Sequence, residues 1–122
     1  MIVGVIGSRN FNGYEKVVEE LDRLAQSTGE PITELVSGGA KNSADTLAER
    51  YAEERGIPMR VFLPDYAAYG RAAPLIRNKS IIDACTVLIA FWDSKSRGTA
   101  HALRLARRRK PALRLIIVVP LP

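Results

Sequence analysis

Apolar residues along the chain fall alternately into short continuous runs and into longer stretches spaced three and four apart. Ile2 to Gly7 is a β-branched run stopped by Gly7-Ser8, and it reads as a strand. Tyr14, Val17, Val18, Leu21, Leu24 and Ala25 then recur at helical spacing and predict an amphipathic helix ending near Gly29. Thr33 to Ser37 predicts a second strand, halted by Gly38-Gly39. Ala44, Leu47, Ala48, Tyr51 and Ala52 form the stripe of a second helix, closed by Gly56 and Pro58. Met59 to Leu63 predicts a third strand, and Pro64 to Gly70 a turn-rich loop. A shorter helix is expected between about Ala72 and Asp83. Thr86 to Trp92 reads as the fourth strand, Thr99 to Arg109 as the fourth helix, and Leu115 to Val119 as a last strand before Pro120.

Strands that are apolar on both faces and separated by helices predict a parallel sheet covered on both sides. Right-handed crossovers leave few topologies, and the expected one is a five-stranded, three-layer Rossmann-like α/β fold of order 3-2-1-4-5. With no linker, repeat or low-complexity stretch, residues 1–122 read as one domain. A chain of this length commonly buries about two-thirds of its unfolded surface.

In that order the topological switch lies between the first and fourth strands, and ligands of open α/β sheets bind beyond the strands' carboxyl ends. Three strand ends carry unusual residues: Gly7-Ser8-Arg9-Asn10-Phe11, then Ser37-Gly38-Gly39-Ala40-Lys41-Asn42-Ser43-Ala44-Asp45, then Asp93-Ser94-Lys95-Ser96-Arg97-Gly98-Thr99. Each combines glycine, hydroxyl and cationic side chains. Small residues let a backbone approach a ligand closely, and free N–H groups at a helix start attract anions. Thr99 is placed as a cap whose hydroxyl would also be available to a phosphate. Glycine pairs between strand and helix are common turn chemistry, so it is three such loops on one rim that point to a site. None matches G-x-G-x-x-G or the P-loop pattern, which speaks against the usual dinucleotide fold and against a nucleoside triphosphatase.

Arg77-Asn78 on the third helix is placed to reach back across the rim toward a phosphate or carboxylate. Phe11 and Trp92, near the ends of the two central strands, are placed either to stack on a base or to pack the core. His101 is the only histidine and lacks an evident acidic partner, which makes it weak evidence for acid–base catalysis.

Composition narrows the class. The 47% apolar and 25% charged residues are those of an ordinary globular protein, and no apolar run approaches the roughly 18 residues that span a bilayer. The opening Met1-Ile2-Val3-Gly4 lacks the basic region of a signal peptide, so a cytoplasmic location and no membrane partner are expected. A single cysteine, Cys85, excludes an internal disulfide, and neither a metal nor a cofactor is expected. The net charge of +5 suits an anionic partner. Much of it comes from Arg104, Arg107, Arg108, Arg109, Lys110 and Arg114, which read either as a solvated helix end favoured by the macrodipole or as a nucleic-acid surface.

Taken jointly, these residues resemble the SLOG superfamily and, within it, the YspA-like branch. The resemblance rests on Gly7-Ser8-Arg9, on Ser37-Gly38-Gly39-Ala40-Lys41 leading to Ala44-Asp45-Thr46-Leu47-Ala48-Glu49, on Arg77-Asn78, and on Ile89-Ala90-Phe91-Trp92-Asp93 with Ser96-Arg97-Gly98-Thr99. It implies a five-stranded Rossmann-like domain, often a homodimer, that binds or senses a nucleotide-derived ligand such as a nucleotide, NAD or an ADP-ribose-like molecule. Phosphate and ribose would be held by Ser8, Arg9, Gly38, Gly39, Arg77, Gly98 and Thr99, with Asp45 on a hydroxyl or a loop backbone, and Gly7, Asn10, Ser37, Ala40, Asn78 and Trp92 would also contact the ligand. Two departures stand out. Asn42-Ser43 replaces the family's glycine after Gly-Gly-Ala-basic and is one residue longer, although asparagine tolerates a left-handed backbone. The superfamily's phosphoribohydrolases, the Lonely Guy enzymes, carry a glutamate three residues after the Gly-Thr threonine, where this chain has Ala102. Whether the chain is an enzyme therefore stays open. A nucleotide N-glycosidic hydrolase or transferase is one alternative, and a single-stranded DNA binder, related to the superfamily's DNA-processing proteins, is a second.

Overall fold

The five apolar runs become β1 (Ile2–Gly7), β2 (Glu34–Ser37), β3 (Met59–Val61), β4 (Val87–Trp92) and β5 (Leu115–Pro120) in a computed structural model that describes residues 1–122. Every pairing is parallel and the order is β3-β2-β1-β4-β5, as the hydrophobic pattern predicts. The helices are α1 (Tyr14–Thr28), α2 (Ala44–Arg55), a short α3 (Tyr66–Tyr69), α4 (Ala73–Ala84) and α5 (Arg97–Arg108). The chain is thus a Rossmann-like α/β fold with its switch point between β1 and β4, which pair along Val3–Gly7 and Val87–Phe91.

Alternation along the strands fills two cores. Val3 and Val5 of β1, with Val87, Ile89 and Phe91 of β4, face α1 and α2 and meet Val17, Leu21 and Ala48. Ile6, Leu88 and Ala90 face the other way and meet Ile81 and Ile82 of α4 and Leu103 of α5. Val87, Leu88, Ile89 and Phe91 are wholly buried, and side chains of this size contribute about 1.5–3 kcal/mol each when fully removed from water. The central strands that carry the switch point are therefore the most firmly held part of the sheet.

Several boundaries differ from the pattern. The loop expected over 64–70 contains α3, because the Asp65 carboxylate accepts the Ala68 N–H and starts a helical turn. A 3-10 turn over Gly70–Ala72 then leads into α4. β2 begins at Glu34 and β3 ends at Val61, so both are shorter than their apolar runs. α5 begins at Arg97, two residues before Thr99. No helix is long and apolar enough to cross a membrane.

Candidate functional site

At the carboxyl ends of β1 and β4, between α4 and α5, lies a cleft of about 490 Å³. Its floor is Ile6 and Gly7, and the loops after β1, β2 and β4 form its rim together with the start of α4.

The loop after β2 is held closed by its own side chains. Asp45, in the first turn of α2, is buried, and its Oδ2 accepts the Gly38 N–H at 2.9 Å and the Ala40 N–H at 3.2 Å. Ser43 caps α2 by accepting the Asp45 N–H and donates its hydroxyl to the Ala40 carbonyl at 2.6 Å. Asn42 and Gly39 turn the chain in left-handed conformations, φ 52° and 69°. Asn42 does here what the resemblance assigns to glycine, and the longer loop is reshaped and kept.

Arg77 locks this loop from the other side. Its Nη1 donates to the Gly38 carbonyl at 2.6 Å and its Nε to Asn78 Oδ1 at 3.1 Å. A Cβ on Gly38 would stand 2.5 Å from that Nη1, so the glycine makes room for the arginine and not for a ligand. Burial pushes the Asp45 carboxyl above its ordinary range, while the Ala40 and Gly38 amides, the Arg77 charge and Ser43 pull it back. Burial likewise lowers Arg77, and the nearby Asp45 charge supports it.

The loop after β4 is organised differently. Asp93 Oδ1 accepts the N–H groups of Lys95 and Ser96, both at 2.8 Å, which holds its carboxyl below the ordinary range. The Asp93 N–H donates to Ser8 Oγ at 3.0 Å, tying this loop to the end of β1. Ser96, and not Thr99, is the cap of α5: its Oγ accepts the Thr99 N–H at 3.4 Å. Thr99 sits a full turn deeper than expected, with its hydroxyl 3.2 Å from that of Ser96. The expectation fails because both residue types cap helices and the apolar pattern of α5 becomes visible only after its first turn. Asn78 Nδ2 donates to the Gly98 carbonyl at 3.3 Å, fixing α4 against the opening turn of α5. A Cβ on Gly98 would meet nothing within 4 Å.

The structure gathers Gly7, Arg9, Asn10, Ala40 and Asp45 around this cleft, with Arg77, Asn78, Gly98 and Thr99 facing them. It does not bring all the singled-out residues there. Ser8 and Ser37 are buried behind the rim, where Ser37 Oγ accepts the Gly39 N–H at 3.4 Å. Gly38 is covered by Arg77, and a Cβ on Gly39 would meet Leu63 and Val61 at 2.8 Å. Trp92 packs against the second core and donates its indole N–H to the Ser96 carbonyl. Phe11 stacks on Phe91, with ring centroids 5.4 Å apart. Both aromatic residues thus take the packing role. His101 lies 3.3 Å from Asn78 Nδ2, and burial and the Arg104 charge lower its pKa.

Asp93, Lys95 and Ser96 of the loop after β4 and Ala102 of α5 also line the cleft, as do Pro74 and Leu75, which the sequence did not mark at all. Pro74 and Leu75 carry no local signal; only the crossing of α4 over the strand ends brings them in. Ala102 is 2% exposed and belongs to the second core, so the wall where the phosphoribohydrolases carry a glutamate is apolar here. The two carboxylates at the cleft, Asp45 and Asp93, are both engaged by backbone amides.

Two comparisons bear on this arrangement. The family model for the YspA, cpYpsA-related SLOG family (YAcAr) matches residues 1–69, which include β1, the loop after β2 and Asp45. No curated protein matches the chain.

Proposed function

The chain belongs to the YspA, cpYpsA-related SLOG family, and from that premise we propose that it binds a nucleotide-derived, phosphate-bearing ligand in the cleft between β1 and β4. Membership is consistent with a nucleotide-related function. The observation that carries the finer reading is the opening turn of α5. Its Arg97 and Gly98 amides occupy helix positions that have no partner within the helix, and Gly98 lines a cleft flanked by Arg9 and Lys95. The space around Gly98 admits a phosphate close to that backbone. Thr99 Oγ1 and Asn10 are at hand for further oxygens, and Asn78 keeps the turn in place. Arg77 and Asp45 act at one remove by fixing the neighbouring loop.

Binding or sensing, in preference to turnover, follows from how the carboxylates are used. N-glycosidic hydrolysis needs a positioned acid or base worth ~10²–10⁴-fold. Here Asp45 and Asp93 hold backbone amides and the Ala102 wall is apolar. A nucleotide, NAD or an ADP-ribose-like molecule is the expected ligand class.

The test is a thermal-shift screen of the purified chain against mononucleotides, NAD, ADP-ribose and cyclic nucleotides, with chromatography of each stabilising compound. Ligand at 100 times Kd stabilises by about 2.7 kcal/mol, a shift of roughly 10 °C for a domain of this size. Stabilisation with the compound recovered intact is the expected result. Recovery as free base and ribose phosphate establishes an enzyme instead, and no shift with any nucleotide removes the reading.

A further inference from the structure

The net charge of +5 is not spread over the molecule. Residues 1–93 carry ten cations against all thirteen acids, whereas residues 94–122 carry eight cations and no acid. The two parts therefore bear net charges of −3 and +8. In the first part, most cations of the helices are neutralised locally: Lys16 and Arg23 pair with Glu20, Arg50 with Glu54, Arg55 with Asp22 and Lys79 with Asp83. Arg77 holds the Gly38 carbonyl, while Arg9, Lys41 and Arg71 have no carboxylate partner. In the second part, two arginines have internal work. Arg114 pairs with Glu30, and the Arg109 guanidinium donates to the Ile82 and Cys85 carbonyls at the end of α4. The others, Lys95, Arg97, Arg104, Arg107, Arg108 and Lys110, are exposed and have no carboxylate partner.

Helix periodicity aligns the ones on α5. Arg97, Arg104 and Arg108 fall at i, i+7 and i+11 on one face, with Arg107 beside it, along about 16 Å of helix. The macrodipole explains cations at the last turn but opposes Arg97 in the first, so a helix end alone does not account for the stripe. We propose that this exposed face of α5 is a docking surface for the sugar–phosphate backbone of a nucleic acid, engaged without reading sequence. A B-form strand presents a phosphate about every 3.4 Å along its axis, so the stripe reaches several. An anionic membrane is the poorer fit. Surface helices that bind bilayers insert an apolar face, and that of α5 (Ala102, Leu103, Ala106) is buried in the core. α5 carries no phenylalanine, tyrosine or tryptophan, so contacts go to phosphates and not to stacked bases.

The test uses the full chain, labelled single-stranded and duplex oligonucleotides of mixed sequence, and anionic phospholipid vesicles, followed over a salt series. Binding to one or both nucleic acids is expected, with a log–log salt slope near −3 for four phosphate contacts on a single strand, or steeper on duplex. Arg104→Gln/Arg107→Gln/Arg108→Gln reduces the slope by about 2 and weakens binding about tenfold or more at low salt. Arg23→Gln/Arg50→Gln/Lys79→Gln removes the same charge from ion-paired sites and leaves affinity unchanged. No binding, equal losses in the two triple variants, or stronger capture by vesicles than by nucleic acid overturns the proposal. Circular dichroism and melting establish that both variants fold. Nucleotide stabilisation through the cleft persists in the α5 variant, which separates this surface from the small-ligand reading.

Discussion

The loops after β2 and β4 carry the same kinds of residue, glycine with hydroxyl and cationic side chains, yet they end in opposite states. The first is saturated from within: Asp45 takes two of its amides, Arg77 takes its Gly38 carbonyl, and Ser43 caps the helix that follows. The second is shaped from beneath by Asp93 and Ser8, which leaves the opening turn of α5 facing the cleft with room at Gly98. A glycine-rich loop is thus not by itself a ligand contact. What distinguishes the two is whether the protein's own side chains already occupy the space the glycine leaves.

The largest effect is expected from Asp45→Ala. It strands the Gly38 and Ala40 amides and leaves the half-buried Arg77 without its counter-charge, so stability falls by about 3 kcal/mol and the melting temperature by roughly 10 °C. Unfolding in urea checks this; a loss below about 1 kcal/mol means that Asp45 does not organise the loop. Next, the same small substitution should have opposite signs in the two loops. Gly38→Ala drives a methyl into the Arg77 guanidinium and lowers stability by about 1–2 kcal/mol. Gly98→Ala meets no atom, lies in the first turn of a helix, and raises stability by about 0.5 kcal/mol while weakening the cleft ligand about tenfold. Melting curves with and without ligand separate the two effects.

The smallest effect is in pH. Asp93 has a folded pKa below its unfolded one, so its contribution to stability is full above the ordinary carboxylate value and is lost as pH falls through the folded value. Asp45 has a folded pKa above its unfolded one, so its contribution is full below the ordinary value and declines as pH rises through the folded value. Melting temperatures between about pH 3 and pH 7 should therefore change in opposite directions in the Asp93→Asn and Asp45→Asn variants relative to the parent. Parallel curves for all three proteins would show that neither carboxylate is perturbed by folding.

Much of this was legible in the sequence. The alternation of apolar runs and helical stripes specifies the strand order, because parallel strands buried on both faces and right-handed crossovers leave little choice. Arg77 and Asp45 were recognisable as special, and the second half of the expectation for Asp45, that it holds a loop backbone, is what the geometry shows. The direction in which side chains point was not legible. Trp92 follows the alternation of β4 into the second core, Gly38 is vacated for an arginine 39 residues away, and Ser96 takes the cap expected of Thr99. These depend on contacts between distant segments, which local spacing does not encode. The same holds for the ion pairs that set the first 93 residues apart from α5.

Whether the start of α5, and not the loop after β2, receives the ligand is settled by an amide ¹H–¹⁵N titration of the full chain with ADP, following each loop separately. Large, saturable shifts are expected at Arg97, Gly98 and Thr99, with smaller ones at Gly38, Gly39 and Ala40, whose loop is closed by Asp45 and Arg77. Saturable shifts confined to Gly38–Ala40, or none at the start of α5, would contradict this assignment.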